Sequence, residues 1–256
     1  MKPLLGSPAT GVIVTGGASG IGLASARALA AVGRPVALWD INGDKVEEAA
    51  AGIHREFGVA TMGVALDLRD PNAMVGAIVA SRKQLSTIGG LVHSAGTAEP
   101  TGIEGVTVAN WESGFNLHVR PIVLAVQALL EDLKANPGSA VVALASINAT
   151  LGNGLIPIYS AAKGAVVSLV RSMADALAPH GVRINAVSPG QIDTPIMSPA
   201  KQALPPGHFE KHIMLGRYGK AEEVGRLIRF LLSDEASYIT AANLVVDGGN
   251  LNSQRL

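Results

Sequence analysis

The chain has 256 residues, of which 48% are hydrophobic and 16% charged, and it contains no cysteine. Its 20 basic and 20 acidic residues balance, and no basic run marks a surface for nucleic acid or for an anionic membrane. The lack of cysteine excludes disulfides, thiolate metal sites and cysteine nucleophiles. We therefore predict one compact domain over residues 1–256 in the cytoplasm, with no targeting segment and no membrane span.

Short apolar runs rich in Val and Ile alternate along the chain with longer Ala-rich segments, a rhythm typical of βαβ units. Most of the runs are apolar throughout, as expected for parallel strands that are covered on both faces. The pattern predicts an α/β fold with a doubly wound, mostly seven-stranded parallel sheet and helices on both faces. The predicted strands are 11–16, 35–40, 59–67, 89–96, 139–146, 182–190 and 243–249, and the predicted helices include 20–33, 43–57, 119–133, 157–180 and 220–233.

A glycine-rich stretch, TGGASGIG from Thr15 to Gly22, joins the first predicted strand to the first predicted helix. Glycines allow a tight turn and a close approach to a pyrophosphate, while the helix N-terminus offers free N–H groups. The spacing is G-x-x-x-G-x-G and not the G-x-G-x-x-G fingerprint, so the physical logic applies without the generic pattern. The alternative is a glycine-rich turn that binds nothing.

Asp40 ends the second predicted strand, 18 residues beyond Gly22. A carboxylate at this place can accept hydrogen bonds from both hydroxyls of an adenosine ribose. The neighbours Gly17, Ile41 and Asn42 carry no positive charge that could bind a 2′-phosphate. The sequence therefore favours NAD over NADP, although a strand-terminal Asp also serves as a helix cap.

Tyr159 and Lys163 stand four positions apart in YSAAK, so one helical turn brings them together. A free tyrosine has a pKa near ~10, and an ammonium about 4 Å away at an effective dielectric of ~20 stabilises the phenolate by roughly 4 kcal/mol. Tyr159 is therefore a candidate general base. Ser146 ends an apolar strand and can hydrogen-bond a substrate oxygen. Taken singly, each residue also fits an ordinary structural role.

The chain resembles the short-chain dehydrogenase/reductase family over nearly its whole length. TGGASGIG matches the family's T-G-x-x-x-G-I-G loop, and SPGQIDT (188–194) matches the segment beside the nicotinamide carboxamide. The triad of the family falls on Ser146, Tyr159 and Lys163, and Asn116 matches its catalytic asparagine. The chain departs from the family pattern at HSAG (93–96), at Ala241, and at His118 and Arg120 after the asparagine.

The resemblance implies a Rossmann-type fold, hydride transfer with NAD, and a homotetramer. It implies that Tyr159 exchanges a proton with the substrate, that Lys163 lowers the phenol pKa and binds ribose, and that Ser146 positions the substrate oxygen. Asn116 is implied in a water-linked proton relay. The implied cofactor-binding residues, together with those predicted above, are Gly16, Ser19, Gly20, Ile21, Gly22, Asp40, Ile41, Asp67, Leu68, Ser94, Ala95, Gly96, Tyr159, Lys163, Pro189, Gly190, Ile192 and Thr194.

The segment 191–215 interrupts the βα rhythm and is predicted to be a substrate lid. Its apolar residues outnumber its charges, and the segment 147–157 adds an apolar rim, so we expect a largely apolar secondary alcohol or its ketone. The alternative is that many of these side chains pack inward and only hold the lid. The apolar residues concerned are Ile147, Leu151, Leu155, Ile156, Ile192, Ile196, Met197, Leu204, Phe209, Ile213, Met214 and Leu215.

Weaker patterns leave other readings open. His208 and His212 could form a metal pair, but no third ligand is evident and we predict no metal. Trp111 and Phe115 indicate packing or an interface. The competing functions are an NADPH-dependent 3-oxoacyl-thioester or other ketone reductase, and a non-catalytic protein that senses the cofactor. A sugar-nucleotide epimerase is disfavoured by the glycine spacing and the chain length.

Overall fold

The computed structural model describes residues 4–254. Its main sheet has seven strands, all parallel, in the order β3-β2-β1-β4-β5-β6-β9. The predicted doubly wound α/β fold is confirmed. The strands are β1 (Gly11–Thr15), β2 (Val36–Asp40), β3 (Thr61–Ala65), β4 (Ile88–His93), β5 (Ala140–Leu144), β6 (Arg183–Pro189) and β9 (Asn243–Val246), and the short strands β7 (Ile192–Asp193) and β8 (Gly219–Lys220) pair separately.

The helices fill both faces of this sheet, as right-handed crossovers between parallel strands require. Most predicted strands and helices overrun the observed ones by a few residues, since apolar or glycine-rich sequence continues into the turns. The helices are α1 (Gly20–Ala30), α2 (Gly43–Phe57), α3 (Pro71–Leu85), α4 (Val108–His118), α5 (Arg120–Ala128), α6 (Leu130–Ala135), α7 (Pro157–Leu177), α8 (Ser198–Ala203) and α9 (Ala221–Leu231).

Two apolar layers form the core, one on each face of the sheet. Trp39 of β2 lies in one layer, and its indole Nε1 donates to Ser81 Oγ at 3.1 Å, so its polar atom is satisfied. Leu38 points to the opposite layer, together with Val12 and Val14 of β1. The strands are therefore buried on both faces, which explains why they read as apolar runs.

Two predicted segments differ from the structure. The predicted helix 119–133 is divided at Leu129, whose ψ of 2° interrupts the helix between α5 and α6. The predicted lid 191–215 contains β7, α8 and two single 3₁₀ turns, so it is partly ordered. Its four prolines remove backbone donors and keep these pieces short. In the described residues 4–254, no helix is long and apolar enough to cross a bilayer.

The order of the strands reverses between β1 and β4. In open doubly wound sheets, the carboxyl ends of the strands at such a switch point border the crevice in which ligands bind. A cavity of about 400 Å³ lies there.

Candidate active site

The glycine loop leaves β1 at Thr15 and enters α1 at Gly20. Gly16 has a φ of +66°, and a Cβ at this position would lie 2.9 Å from Ala95 Cα. A Cβ at Gly22 would lie 2.1 Å from the Gly16 carbonyl oxygen, so α1 packs directly on the loop. The side chain of Ser19 makes no capping hydrogen bond at the start of α1. The N-terminus of α1 therefore offers backbone donors to an anion.

Asp40 closes β2 beside this loop. Its carboxylate accepts hydrogen bonds from the backbone N–H groups of Ala18 and Asn42, both at 3.1 Å. The carboxylate is thereby held in place at the rim of the cavity. Its position fits the predicted contact with a ribose, and no ion pair to Asp40 occurs among the described residues 4–254.

Asp67 and Arg69 lie on the same wall of the cavity. The Arg69 guanidinium donates to both carboxylate oxygens of Asp67, with a shortest distance of 2.8 Å. This hydrogen bond to Arg69 lowers the pKa of the Asp67 carboxyl below its usual value. Sequence reasoning missed Arg69 as a wall residue because its side chain reaches the cavity only through the fold of the 66–70 turn.

Ser146, Tyr159 and Lys163 meet at the inner end of the cavity. Ser146 follows β5, is 7% exposed, and its Oγ accepts a hydrogen bond from Asn148 N at 3.1 Å. Tyr159 lies in the first turn of α7, and a hydrogen bond from Ser146 to its side chain acts to lower its pKa. Lys163, one turn later, is 4% exposed and donates to the Leu144 carbonyl at 2.6 Å.

The electrostatics of this trio differ from the sequence-based expectation. Burial raises the pKa of Tyr159 above its ordinary value and outweighs the hydrogen bond from Ser146. Burial also lowers the pKa of Lys163 to about 7. The Lys163 ammonium lies 5.5 Å from the centre of the Tyr159 ring, while its hydrogen bond goes to Leu144. Lys163 alone therefore does not bring the phenol close to ionisation at neutral pH.

The segment after β6 closes the cavity on the other side. Pro189 ends β6, Ile192 is buried, and Thr194 Oγ1 donates to the Ile192 carbonyl at 3.2 Å. A Cβ built on Gly20 would lie 3.4 Å from Thr194, so this segment faces the glycine loop directly. The two walls leave a narrow site between them.

Nearly all of the predicted site residues line the cavity of about 400 Å³. Gly22 does not, because it is buried against Gly16 and acts by packing. Asn116 does not either, and it lies half-buried in the last turns of α4. The predicted residues on the cavity wall are Gly16, Ser19, Gly20, Ile21, Asp40, Ile41, Asp67, Leu68, Ser94, Ala95, Gly96, Ser146, Tyr159, Lys163, Pro189, Gly190, Ile192 and Thr194.

Several residues of the cavity wall were not among the predicted site residues. His118 and Thr97 flank Tyr159, and Asn148 and Gln191 bring polar side chains to the substrate end of the cavity. His118 carried a signal, since it departs from the family pattern next to Asn116. The others sit in loops whose side-chain directions depend on the fold.

The side chains that could bind a metal do not form a cluster in the described part of the chain. Within residues 4–254, no group of three or more His, Asp or Glu side chains could hold a metal ion. The rings of His208 and His212 lie with their centroids 6.3 Å apart in the lid.

Comparison with known proteins agrees with this geometry. A family model described as enoyl-(acyl carrier protein) reductase matches residues 16–250. The "Short-chain dehydrogenase/reductase aba4" of Botryotinia fuckeliana is 34% identical over 93% of this chain and 95% of its own length. The chain belongs to the short-chain dehydrogenase/reductase family. This family consists of oxidoreductases that bind a nicotinamide cofactor.

Two further members of the short-chain dehydrogenase/reductase family extend the comparison. Cyclopentanol dehydrogenase of Comamonas sp. is 33% identical over 93% of this chain and 95% of its own length. The structure of L-sorbose reductase from Gluconobacter frateurii, complexed with NADPH and L-sorbose, superposes with a TM-score of 0.90. It is 28% identical and covers 95% of this chain and 97% of its own. The names of these two proteins thus refer to compounds of different polarity, cyclopentanol and L-sorbose.

Proposed function

We propose that this protein interconverts a largely apolar secondary alcohol and its ketone by hydride transfer with NAD. The observation that carries the proposal is that Ser146, Tyr159 and Lys163 share one cavity with Asp40 and the glycine loop. Tyr159 is the general acid/base in this proposal. The dinucleotide end and the reactive end of the cavity are continuous, as hydride transfer requires.

The residues that are present fit a nicotinamide dinucleotide. Gly16 and Gly22 let the loop backbone approach closely, and the uncapped start of α1 suits a pyrophosphate. Asp40 would accept hydrogen bonds from ribose hydroxyls, and Lys163 would donate to the second ribose near the reactive end. The segment Pro189–Thr194 would hold the nicotinamide.

When bound, the cofactor supplies the ring carbon that accepts or donates hydride. Ser146 donates a hydrogen bond to the substrate oxygen, and Tyr159 takes the alcohol proton during oxidation or returns it during reduction. Because burial raises the pKa of Tyr159 in the free protein, positive charge must stabilise the phenolate. Lys163 supplies that charge when protonated, and an oxidised nicotinamide ring adds to it. Asn116 stays a candidate for the proton relay, acting from α4.

The proposed preference for NAD rests on the carboxylate of Asp40 and on the ion pair between Arg69 and Asp67. A 2′-phosphate would meet the Asp40 carboxylate, and Arg69, a basic side chain of the same cavity wall, is already paired with Asp67. The Asp67 carboxylate would compete with a phosphate for the donors of that guanidinium. The NADPH complex of L-sorbose reductase keeps NADP as the competing cofactor.

The preference for apolar substrates rests on the substrate end of the cavity. Ile147, Ile156, Ile196 and Met197 line it, and the buried Ile192 also lies on the cavity wall. The apolar lid residues Leu204, Phe209, Ile213, Met214 and Leu215 are not on that wall. Ile213 is buried and packs against the C-terminal turn, so part of the lid sequence only holds the lid in place. The name of cyclopentanol dehydrogenase agrees with such a substrate, and the name of L-sorbose reductase favours a sugar.

Cofactor absorbance tests this proposal directly. Cycloalkanols and aryl alkyl carbinols with NAD are expected to give kcat/KM values well above those of free sugars and polyols. A reversed order would assign the site to hydroxylated substrates. The family model description names a second candidate, the reduction of an enoyl thioester on acyl carrier protein. An enoyl thioester and a 3-oxoacyl thioester, each with NADPH, are the substrate pairs that test the thioester alternatives.

The non-catalytic alternative predicts a different pattern. A cofactor sensor would bind NAD in calorimetry and show no turnover with any alcohol or ketone.

The cytoplasmic location and the homotetramer also stay proposals.

A further inference from the structure

His118 stands in the wall between two cavities. It ends α4, is 2% exposed, and contributes both to the main cavity and to a small side cavity of about 30 Å³. Tyr159 and Thr97 are the other residues shared by both cavities. The roles proposed above for the site residues give this histidine no function.

One hydrogen bond determines the tautomer of His118. Its Nε2 lies 3.0 Å from the Thr97 carbonyl oxygen, and a carbonyl only accepts, so Nε2 carries the proton. Nδ1 then carries a lone pair and has no hydrogen-bond partner among residues 4–254. Burial, with Lys163 next in importance, lowers the pKa of His118 to about 2. The ring is therefore neutral at any pH at which the enzyme would work.

The neutral ring is wedged against the general acid/base. The centres of the His118 and Tyr159 rings are 5.4 Å apart, and their planes meet at 87°, an edge-to-face contact. On another side, a Cβ at Gly96 would lie 2.5 Å from His118 Cε1, so the imidazole packs on the backbone there. The ring can move little without moving Tyr159.

A second buried histidine supports the same corner. Thr15 Oγ1 accepts hydrogen bonds from the N–H groups of Ser94 (3.1 Å) and Ala95 (3.2 Å), which uses both of its acceptor positions. Its own hydrogen therefore goes to His93 Nδ1, 3.1 Å away, and His93 carries its proton on Nε2. The backbone of Leu117 and His118 lies near this ring and acts to raise the pKa of His93, but Nε2 has no hydrogen-bond partner among residues 4–254. Thr15 thus joins the end of β1 to His93 and to the backbone of Ser94 and Ala95.

We propose that His118 is a positioning residue that orients the phenol of Tyr159, with its own ring held by the Thr97 carbonyl. The inference rests on the proposed function of Tyr159 as general acid/base. A hydrogen bond from Ser146 holds the hydroxyl end of the phenol, and His118 fixes the plane of its ring through the edge-to-face contact. The role requires an aromatic ring at position 118 with a donor at Nε2.

Three variants separate the two requirements. His118→Phe keeps a ring against Tyr159 and loses the hydrogen bond to Thr97. His118→Gln keeps a donor toward Thr97 and loses the ring. His118→Leu loses both, and His180→Leu on the exposed turn after α7 is the matched control.

The measurements are kcat, KM, the Kd for NAD, the melting temperature and the pH profile of kcat/KM. For His118→Leu we expect kcat to fall about tenfold or more, with the Kd for NAD within about twofold. The pKa of the basic group in the profile should rise by about half a unit or more, because a misplaced phenolate is less stabilised. His118→Phe and His118→Gln should each retain more kcat than His118→Leu.

Two results would overturn the inference. One is a His118→Leu enzyme whose kcat and pH profile match those of the unmodified protein and of His180→Leu. The other is a parallel loss of kcat, NAD affinity and melting temperature in all three variants, which would assign His118 to general packing.

If no alcohol is turned over, the proposed function fails, and the inference is tested separately. Phenolate absorbance is titrated in the presence of NAD, and the signal of Tyr159 is taken as the difference from Tyr159→Phe. An upward shift of that titration in His118→Leu would support the positioning role, and an unchanged titration would refute it.

Discussion

At the scale of single residues, the site is an arrangement of groups whose protonation is set by burial. Tyr159 and Lys163 are driven in opposite directions from their ordinary pKa values, and each toward its neutral form. His93 and His118 beside them are also held neutral. Among the buried polar side chains of residues 4–254 there is no carboxylate to balance a cation. The charge of a bound cofactor would therefore shift the pKa values of Tyr159 and Lys163 strongly.

Tyr159→Phe is expected to lower kcat by about 10²–10⁴-fold, because it removes the exchangeable proton and leaves the ring in place. The Kd for NAD should stay within severalfold, since the substitution removes one hydroxyl and leaves the other predicted cofactor-binding residues in place. Lys163→Met should lose activity and also bind NAD more weakly, because one ammonium serves both functions. Steady-state kinetics and calorimetry check both variants. Near-unmodified activity in Tyr159→Phe would contradict the mechanism.

Asp40→Ala is expected to relax the preference for NAD over NADP measured as a ratio of kcat/KM values. In the proposed site the carboxylate would accept hydrogen bonds from ribose hydroxyls and would repel a 2′-phosphate, so the substitution should remove both effects together. Asp44→Ala, in the first turn of α2, is the control for loss of a nearby negative charge. Equal efficiency with NAD and NADP in the unmodified protein would rule the preference out.

Acid is expected to destabilise the fold through the two buried histidines. Their pKa values are lowered to about 3 for His93 and about 2 for His118, while unfolded histidine titrates near ~6.5. Between these values the unfolded chain binds protons that the native chain does not, so stability falls as pH drops below about 6.5. Each histidine contributes up to about 1.4 kcal/mol per pH unit.

Urea unfolding at pH 7 and pH 5 measures this effect. His93→Asn should show a shallower loss of stability than the unmodified protein, because one of the two titrating groups is gone. The surface variant His180→Asn is the control for removing a histidine as such. A His93→Asn protein with an unchanged pH dependence would show that other groups carry it.

At the scale of elements, the contact between the glycine loop and α1 places the cofactor end of the site. Gly22 is the position at which the helix approaches the Gly16 carbonyl. α1 also packs along α9, so a shift of α1 would pass into the second core layer. The glycines of this loop therefore act by two means, one through backbone conformation and one through close packing.

Gly22→Ala is expected to destabilise the protein by about 1–3 kcal/mol and to weaken NAD binding, because the added methyl meets backbone at 2.1 Å. Gly76→Ala in α3 is the matched control, since a Cβ there meets nothing within 4 Å. Its exposed helical position should make the change neutral or stabilising by up to about 1 kcal/mol. Urea unfolding and NAD titration of both variants provide the test. Equal behaviour of the two would refute the packing argument.

At the scale of the whole molecule, several large apolar side chains are exposed on the surface and do not pack into the core. Trp111 of α4 is 45% exposed and stacks on Phe115 with ring centres 4.7 Å apart. Val108 of the same helix is also exposed. The apolar segments 119–133 and 157–180 are predicted to support isologous packing, and the structure buries one face of α5 and of α7 in the core. The exposed apolar surface of α4 is a further candidate for an isologous contact between subunits.

Light scattering is expected to give a homotetramer, about four times the 26.1 kDa of one chain. Trp111→Lys should shift the mass toward smaller species, because it places a charge in the expected apolar contact. Tyr238→Lys, at a fully exposed aromatic residue elsewhere, is the control. A mass of one chain for the unmodified protein would contradict the predicted assembly.

The amino-acid sequence by itself determined the α/β fold, the positions of the seven main strands along the chain and most of the cavity wall. It could do so because strands buried on both faces read as apolar runs, and because TGGASGIG, Asp40 and YSAAK lie at strand ends or in single turns. These are local features, in which neighbours in sequence are neighbours in space.

Only the tertiary structure decided what depends on distant contacts. It brings His118 to Tyr159 and His93 to Thr15, two pairs that are too far apart in sequence for a periodic pattern to predict their contact. It also places the side chain of Arg69 in the cavity wall. It also reversed the expected direction of the Tyr159 pKa, because desolvation depends on all surrounding elements and not on the spacing to Lys163.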